Sequence, residues 1–599
     1  MAIDAALEEQ VLTWIENDPD PATRDEATTL LHAAQSGDAT ALTQLSDAFS
    51  GRLKFGTAGL RAELGAGPAR MNRVVVSQTS AGFAQFLLER AARGETSTPP
   101  SIVIGYDGRI NSDVFARDTA EIMAGAGIRV TLLPKAMPTP VTAFAVRHLN
   151  ASAGVMVTAS HNPPRDNGYK VYLGDADAGS QIIPPVDGEI AQKIAAAAAA
   201  PLAKLARSTD YTVAGDEVQQ AYIDSVTKAV SEGLPRDPSN AAHALAADVS
   251  LSVVYTAMHG VGSETAKRVF AKLALPELVP VPEQDQPDGR FPTVSFPNPE
   301  EPGALDLAFR TAREVGAELV VAHDPDADRL AIALPDPESP DGYRRLTGNE
   351  LGLLLGWRAA ERAATQAQQQ AQQQGQQQGQ QQSQPARGAL ACTNVSSPAL
   401  SAVARAYGLD YAETLSGFKW VSRVPGLVFG FEEAIGYLTH PEVIRDKDGI
   451  LASADAIAMA REAKAQGKTL WHLLDDASMR FGHFASTQVV VRLGGMAEAT
   501  QLASKLRAQP LTQLGGVAVT DLQDLMTPGS AAVPANVLCY TLADGTRVMI
   551  RPSGTEPKLK VYIDTFSDMG SLDERQQRAV SALDTFETAL REYLAHAAD

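Results

Sequence analysis

The chain of 599 residues contains only two cysteines, Cys392 and Cys539, and each lies in a short apolar run. So few cysteines do not indicate a disulfide framework, and both are typical of small core residues. This scarcity fits a reducing compartment. The sequence also has no N-terminal basic segment followed by an apolar core, and no run apolar and long enough to span a bilayer. We therefore predict a cytoplasmic protein.

The chain has fewer basic than acidic residues: 51 lysines and arginines against 71 aspartates and glutamates, which gives a formal net charge of −20. Nucleic acids and anionic membranes bind basic surfaces, so the composition argues against both as partners. Local cations must therefore hold any anionic substrate. Hydrophobic residues make up 44% of the chain and charged residues 20%, as in ordinary globular proteins. The length predicts three to five domains.

One stretch, residues 153 to 170, combines a strand signal with reactive side chains. The apolar run Val155 to Val157 predicts a buried strand, which polar residues and two prolines then end. This pattern fits a nucleophilic serine, Ser160, beside a proton carrier, His161, and a cation, Lys170. It also fits a polar turn that caps a strand, because turn residues cluster in this way for conformational reasons.

A second predicted strand, Leu319 to Ala322, leads into an acidic loop. The loop contains aspartates at every second position: Asp324, Asp326 and Asp328. Three carboxylates on one tight loop repel one another unless a hard cation lies between them. An EF-hand is excluded, because its sixth position is Arg329 and its twelfth is Pro335. A metal site and an aspartate-rich surface turn remain as interpretations.

Three other segments hold groups that suit phosphates or sugar hydroxyls. The glycine-rich segment Lys54 to Arg61 fits a loop that faces phosphate, although glycine turns beside a surface arginine are common. Lys419, Glu432 and Glu433 can bind hydroxyls and move protons, or form a solvated ion pair. The pattern of a C-terminal loop indicates either a binding site for a dianionic phosphate or an ordinary turn that carries polar side chains. The residues of this loop are Arg551, Ser553, Gly554, Thr555 and Lys558.

Strand and helix patterns alternate over much of the chain, which predicts α/β sheets covered on both faces. Ligands of such sheets bind at the carboxyl ends of the strands, where Ser160 falls. We expect a helical extension at 1–50 and domains at 51–212 (serine loop), 213–340 (metal loop), 341–481 (sugar-reading loop) and 482–599 (phosphate loop). A Gln-rich insert at 366–384 has no apolar face, so we predict a disordered loop there.

The motifs, taken in order, resemble those of the α-D-phosphohexomutases, the family of phosphoglucomutase and phosphomannomutase. The matching strings are Gly-Thr-Ala-Gly-Leu-Arg, Thr-Ala-Ser-His-Asn-Pro, Asp-Pro-Asp-Ala-Asp-Arg, Gly-Phe-Lys with Gly-Phe-Glu-Glu, and Arg-Pro-Ser-Gly-Thr-Glu-Pro. The resemblance covers all but the N-terminal extension and the Gln-rich insert. It implies three consecutive doubly wound mixed α/β domains plus a smaller C-terminal α+β domain, with the active site in the central cleft.

The resemblance also implies the chemistry. A phosphoserine at Ser160 gives its phosphoryl group to a sugar monophosphate, and the resulting sugar bisphosphate returns its other phosphate. Mg²⁺ is held by the serine phosphate and the three aspartates. The other implied catalytic residues are His161, Lys170, Arg61 and Lys419. The implied substrate-binding residues are Arg329, Glu432, Glu433, Arg551, Ser553, Gly554, Thr555 and Lys558. The predicted function is interconversion of hexose 1-phosphate and hexose 6-phosphate, without a nucleic-acid or membrane partner.

Two departures and several alternatives accompany this prediction. Ser416 stands where threonine is usual, and Ala434 stands where the family usually has serine, which leaves the sugar open. The strings look most like the branch with phosphopentomutase and sugar-bisphosphate synthase activities, and a catalytically silent sugar-phosphate sensor is the non-enzyme alternative. A serine acyl hydrolase lacks its Gly-x-Ser-x-Gly elbow, and a P-loop is excluded because Glu462 replaces its first glycine.

Overall fold

The computed structural model describes residues 3–232, 249–375, 388–530, 533–553 and 558–598. The chain divides into two compact units. Unit 1 comprises Met1–Leu346, Phe418–Arg423 and Gly436–Glu462, and unit 2 comprises Thr347–Gly417, Val424–Ile435 and Ala463–Asp599. The four predicted domain boundaries stay predictions. Among the described residues, no helix has the length and apolar character that crossing a membrane requires.

The N-terminal segment is helical, as predicted. It consists of α1 (Ala5–Asn17), α2 (Pro21–Gln35) and α3 (Ala39–Phe49). Asp20 and Asp38 begin α2 and α3, because their carboxylates accept hydrogen bonds from backbone N–H groups of the first turn. Val11 and Leu45 are buried in one small core with the other apolar faces of these helices.

The first sheet of unit 1 has seven strands. Their bounds are β1 (Leu60–Glu63), β2 (Ser101–Tyr106), β3 (Arg129–Leu132), β4 (Ala153–Val157), β5 (Asp166–Leu173), β6 (Ser180–Gln181) and β7 (Thr212–Val213). They lie in the order β1-β5-β4-β2-β3-β7, with β6 beside β5. The strand β2 is parallel to β3 and β4, whereas β5 is antiparallel to β4 and β1. The carboxyl ends of β2 and β4 therefore meet at one edge.

The helices that accompany this sheet are α4 (Arg73–Ala92), α5 (Ser112–Gly125), α6 (Thr139–His148), α7 (Val186–Ala198) and α8 (Glu217–Glu232). The helix α7 ends at Ala198, shortly before Pro201, because proline lacks the backbone N–H that a helix interior needs. The core between helices and sheet contains Phe83, Ile104, Phe115 and Val155, all fully buried.

The second sheet of unit 1 has the order β12-β11-β10-β8-β9. Its strands are β8 (Val253–Thr256), β9 (Leu278–Pro280), β10 (Leu319–His323), β11 (Leu330–Pro335) and β12 (Tyr343–Arg345), and its helices are α9 (Gly262–Lys272) and α10 (Asp306–Val315). The central strand β10 is buried along its whole length and is parallel to β8. Burial on both faces explains its continuous apolar sequence.

A late segment of the chain, Gly436–Glu462, folds into unit 1. It contains β16 (Gly436–Leu438) and the start of α14 (Gly449–Ala465). The buried hydroxyls of Tyr172 and Tyr222 donate to Asp446 at 3.0 Å and to Asp448 at 2.9 Å. His323 at the end of β10 forms a 2.7 Å hydrogen bond with Ser453. These buried polar contacts hold the late segment in unit 1.

Unit 2 contains a parallel group of strands and an antiparallel sheet. In the first, β13 (Ala389–Thr393) lies between β14 (Asp410–Thr414) and β15 (Leu427–Glu432) and is parallel to both. The antiparallel sheet has the order β17-β22-β21-β20-β19-β18. Its strands are β17 (His483–Arg492), β18 (Gln513–Leu514), β19 (Val517–Asp524), β20 (Leu538–Leu542), β21 (Arg547–Pro552) and β22 (Lys558–Ser567).

The helices of unit 2 are α11 (Gly348–Gly375), α12 (Ala399–Tyr407), α15 (Leu470–Phe481), α16 (Met496–Ala508) and α17 (Leu572–Ala598). The short helix α13 (Phe418–Val421) belongs to unit 1.

The prediction of a disordered loop at 366–384 is wrong for its first part. The helix α11 continues through residue 375, and residues 376–384 lie outside the described part of the chain. Alanine and glutamine both favour the helical conformation, and extending an existing helix costs far less than starting one. The apolar first half of α11 therefore starts a helix that the polar tract continues.

Candidate active site

The serine loop begins where β4 ends, beneath the sheet edge shared with β2. Ser160 is buried and has a φ of +53°, a conformation that few residues other than glycine adopt. Its backbone N–H donates to Thr158 Oγ1 at 2.8 Å, and the Thr158 hydroxyl donates to Asp107 Oδ2 at 2.6 Å. These bonds hold the strained turn that aims the Ser160 side chain.

The Ser160 hydroxyl lies between a carboxylate, that of Asp324, and an imidazole, that of His161. Its Oγ donates to Asp324 Oδ2 at 2.8 Å, and the imidazole Nδ1 of His161 lies 3.2 Å from the same oxygen. Burial lowers the pKa of His161 well below its ordinary value, and the nearby charges of Arg329 and Arg61 lower it further. His161 is therefore neutral at physiological pH and has a nitrogen lone pair available for a proton.

The three predicted aspartates follow β10 and are all buried. Their carboxylates supply three oxygens that lie within 4.8 Å of one another. Asp326 Oδ2 accepts from Thr139 Oγ1 and from Lys170 Nζ, each at 2.6 Å. Asp328 Oδ2 accepts from Lys170 Nζ at 2.7 Å. Lys170 thus neutralises part of the acidic cluster, together with Lys447, whose Nζ lies 3.5 Å from Asp328.

The aspartate cluster fits a hard cation. Among the residues that the structure describes, Asp326 Oδ1 and Asp328 Oδ1 are buried oxygens without a hydrogen bond. Burial raises the pKa of Asp324 well above its ordinary value, and the Asp326 and Asp328 carboxylates raise it further. Buried acceptors without donors are costly unless another positive group satisfies them, and divalent cations prefer carboxylate oxygens. Asp324, Asp326 and Asp328 are therefore suited to hold a metal ion.

The pairing of β1 with β5 brings two predicted cations to this cluster. Arg61 on β1 lies opposite Gly168 on β5, and Lys170 follows two residues later on β5. Arg329, which ends the acidic loop, donates its backbone N–H to Asp324 Oδ1 at 3.0 Å. Arg61, Lys170 and Arg329 are close enough to His161 that each lowers its pKa. The structure therefore brings these predicted residues together around Ser160.

Lys419, the last predicted catalytic residue of unit 1, lies on α13. Its Nζ donates to Thr57 Oγ1 at 2.5 Å. Thr57 belongs to the glycine-rich segment that ends in Arg61, so the two motifs predicted from separate parts of the sequence contact each other. A lysine and a threonine hydroxyl on such a loop suit an anionic ligand.

In unit 2, the sugar-reading loop begins at the end of β15. Glu432 is the last residue of that strand. Glu433 Oε2 lies 3.2 Å from both Thr393 Oγ1 and Ser396 Oγ, and the Glu433 backbone N–H donates to Ser396 Oγ at 3.0 Å. The loop after β13 therefore fixes the position of the Glu433 carboxylate.

The predicted phosphate loop connects β21 to β22. Arg551 lies on β21, in register with Lys560 on β22. The backbone N–H of Ser553 donates to the carbonyl of Lys558 at 2.8 Å, so the two ends of the loop are adjacent. The predicted residues Gly554 and Thr555 lie outside the described part of the chain. Arg551, Ser553 and Lys558 thus lie around one hairpin end.

Three residues that contact the serine loop or the aspartates were missed from the sequence, namely Arg109, Thr139 and Lys447. A signal existed for Arg109, because Asp107-Gly-Arg follows β2, and adjacent parallel strands end at the same edge of a sheet. Thr139 follows a proline at the start of α6 and had no comparable signal. Lys447 comes from the late segment, and its position depends on a chain reversal that sequence patterns do not reveal.

Comparisons with known proteins agree with the geometry. Family models described as "Phosphoglucomutase/phosphomannomutase" match four consecutive regions: alpha/beta/alpha domain I at 52–200, domain II at 220–337, domain III at 363–481 and the C-terminal domain at 513–580. A Haemophilus influenzae protein named "Probable phosphomannomutase" is 48% identical, over 82% of this chain and 93% of its own.

A Schizosaccharomyces pombe protein named "Probable phosphoribomutase" is 34% identical over 94% of both chains. The fold is similar to that of a solved phosphoglucomutase/phosphomannomutase family protein from Burkholderia thailandensis. The TM-score is 0.62 at 18% identity, covering 90% of this chain and 96% of the other. On these four matched domains and these relatives, the chain belongs to the phosphoglucomutase/phosphomannomutase family and is a phosphomutase.

Proposed function

We propose that the protein interconverts hexose 1-phosphates and hexose 6-phosphates through a phosphoserine at Ser160 and a hexose bisphosphate. The observation that supports this most directly is the position of the Ser160 hydroxyl. It is buried, points at Asp324 at 2.8 Å and lies beside a neutral His161. A serine hydroxyl, a neutral imidazole and a cluster of aspartates suited to a metal ion together support phosphoryl transfer.

The proposed cycle has two transfers that mirror each other. In the first, the bond between phosphorus and Ser160 Oγ breaks while a bond to a sugar hydroxyl oxygen forms. The sugar hydroxyl loses its proton, and Ser160 Oγ regains one. In the second, the other phosphate of the bisphosphate moves to Ser160 Oγ by the reverse steps. The phosphoserine is regenerated, so the net reaction is an isomerisation.

We assign Asp324, Asp326 and Asp328 as ligands of Mg²⁺, with Ser160 beside them. Bound Mg²⁺ would stabilise the negative charge that develops on the transferred phosphoryl group. Lys170 donates to two of these carboxylates and so brings a positive charge into the aspartate cluster. Arg61 and Arg329 add further positive charge near Ser160, which suits an anionic substrate in a protein of net charge −20.

We assign proton transfer to His161, Lys170 and Lys419. The imidazole Nδ1 of His161 lies 3.2 Å from Ser160 Oγ, and because its lowered pKa keeps the ring neutral, the ring has a lone pair for the serine proton as a new bond to phosphorus forms. Glu432 and Glu433 would accept hydrogen bonds from sugar hydroxyls, and Arg551, Ser553, Gly554, Thr555 and Lys558 would hold the phosphate that does not react.

A coupled assay tests this proposal. The purified protein should convert glucose 1-phosphate or mannose 1-phosphate to the 6-phosphate in a reaction that requires Mg²⁺, and a trace of the hexose 1,6-bisphosphate should start it. Absence of 6-phosphate with every hexose would contradict the proposal. The second candidate is a pentose substrate, favoured by the similarity to the protein named "Probable phosphoribomutase" over nearly the whole chain. Ribose 1-phosphate is therefore the necessary comparison.

The residue at position 434 should affect the choice of sugar. The Ala434 side chain has no hydroxyl where the family usually has serine, and one neutral hydrogen bond contributes roughly 0.5–1.5 kcal/mol, or about tenfold. We expect glucose 1-phosphate and mannose 1-phosphate to differ in kcat/KM by no more than about 100-fold, and Ala434→Ser to change this ratio by about tenfold. Phosphorylation of Ser160 should stay unchanged. A ratio above about 1,000-fold that Ala434→Ser leaves intact would contradict the assignment of this loop.

A further inference from the structure

Arg109 is a buried arginine whose side chain contacts the backbone of the serine loop. It follows β2 on the turn Asp107-Gly108-Arg109, and 3% of its surface is exposed. Its Nη1 donates to the carbonyls of Pro163 at 2.8 Å and Asp166 at 2.9 Å. Its Nη2 donates to the carbonyls of Ser160 at 2.7 Å and Asn162 at 2.6 Å. One guanidinium group thus binds four backbone carbonyls within seven residues of the serine loop.

The position of Arg109 is itself fixed from two sides. Its backbone N–H donates to Asp107 Oδ1 at 3.0 Å, and its Nε lies 3.6 Å from Asp107 Oδ2. Its guanidinium carbon lies 5.0 Å above the ring centre of Phe291, a distance typical of a cation–π contact. Gly289 forms a parallel bridge with Arg109, and a Cβ on Gly289 would lie 2.7 Å from the Gly108 carbonyl oxygen. The loop around Phe291 therefore packs directly on the arginine turn.

These contacts explain how a strained serine is maintained. A positive φ at a residue other than glycine is strained, so a loop without further support would relax. Four charge-assisted hydrogen bonds to its carbonyls oppose that relaxation. The Arg109 side chain has no direct hydrogen bond to Asp324, Asp326 or Asp328 among the contacts of the described residues, so its effect on them would pass through the loop.

We propose that Arg109 is a positioning residue, which holds the serine loop so that Ser160 Oγ faces Asp324 and ties that loop to the segment around Phe291. The proposal rests on the proposed phosphoserine function. Lysine at position 109 keeps the charge but concentrates its donors on one nitrogen, so it cannot reach four carbonyls as the planar guanidinium does. In Arg109→Lys the serine loop should therefore keep its sequence and the positive charge beside it, but its backbone should be displaced.

The test compares Arg109→Lys with wild type in the Mg²⁺-dependent assay. A displacement of about 1 Å at a reacting atom can cost about 100-fold in rate. We expect kcat to fall about 30- to 100-fold, KM for the hexose 1-phosphate to change less than about threefold, and amide hydrogen exchange in 158–168 to rise. Arg117→Lys is the matched control, because Arg117 is exposed and pairs with Asp113 one turn away on α5. Its kinetics should equal those of wild type.

Phe291→Leu provides a second variant, since it removes the ring beneath the guanidinium and keeps an apolar side chain. We expect a smaller fall in kcat, about three- to tenfold, with KM again little changed. If Arg109→Lys does not fold, the result for Phe291→Leu decides. A kcat within twofold of wild type in the folded variants overturns the proposal, and so does a rise in KM at constant kcat, which would make Arg109 a substrate-binding group. Failure of wild type to form phosphoserine would instead contradict the proposed function.

Discussion

Ser160→Ala should lower kcat for hexose phosphate isomerisation by at least about 1,000-fold and abolish phosphorylation of the peptide that contains position 160. The substitution removes the oxygen that lies 2.8 Å from Asp324 Oδ2 and 3.2 Å from His161 Nδ1. No covalent intermediate can then form there. The substitution removes a single oxygen atom and one side-chain hydrogen bond to Asp324, so we expect the fold to stay intact.

The measurement combines the coupled assay with intact-mass and peptide mapping of active enzyme. Wild type should carry one phosphate on Ser160, and Ser160→Ala should carry none. Ser46→Ala is a matched control, because Ser46 is exposed on α3 and its hydroxyl donates to the Leu42 carbonyl within that helix. An active Ser160→Ala preparation would end the phosphoserine mechanism, whatever the sugar.

Asp326→Asn should produce the second large effect, on the response to Mg²⁺. The change removes one full charge from the cluster but keeps an oxygen that can accept from Thr139 and Lys170. A hard cation binds an amide more weakly than a carboxylate. We expect the Mg²⁺ concentration for half-maximal activity to rise by about tenfold or more and the maximal kcat to fall by about 100-fold.

A Mg²⁺ titration of activity, repeated after treatment with a chelator, measures both quantities. Asp306→Asn serves as the control, since Asp306 is an exposed aspartate at the start of α10 in the same part of unit 1. An activation curve for Asp326→Asn that coincides with that of wild type would show that the aspartates only shape a turn. In that case the buried Oδ1 atoms of Asp326 and Asp328, which accept no hydrogen bond among the described residues, would need another explanation.

The sequence was informative wherever one strand leads directly into the reactive residues. The runs before Ser160 and before Asp324 predicted β4 and β10, and both strands deliver those residues to the carboxyl ends of parallel strands. Local patterns suffice there, because a buried strand and its polar end are adjacent in the chain. The three aspartates were likewise predicted as a cluster, and the structure places their oxygens together.

The remaining features depend on contacts between distant segments, which local patterns do not encode. The pairing of β1 with β5 places Arg61 and Lys170 near each other, although more than a hundred residues separate them in sequence. Arg109 was missed because its importance lies in the four carbonyls it binds and not in its neighbours along the chain. The continuation of α11 into the polar tract was not predicted, because a tract without an apolar face can still continue a helix through its helix propensity.

The return of Gly436–Glu462 to unit 1 imposes an order on biosynthesis. Nascent chains fold from the N-terminus as they leave the ribosome, yet the partners of Tyr172, Tyr222 and His323 are translated only after residues 347–435. Until then these polar groups must stay hydrated, because burying them without partners would cost free energy. Unit 1 therefore completes its fold only after the whole β13–β15 region has been translated. An early stop codon or a ribosomal stall before residue 436 would leave a fragment that cannot complete it.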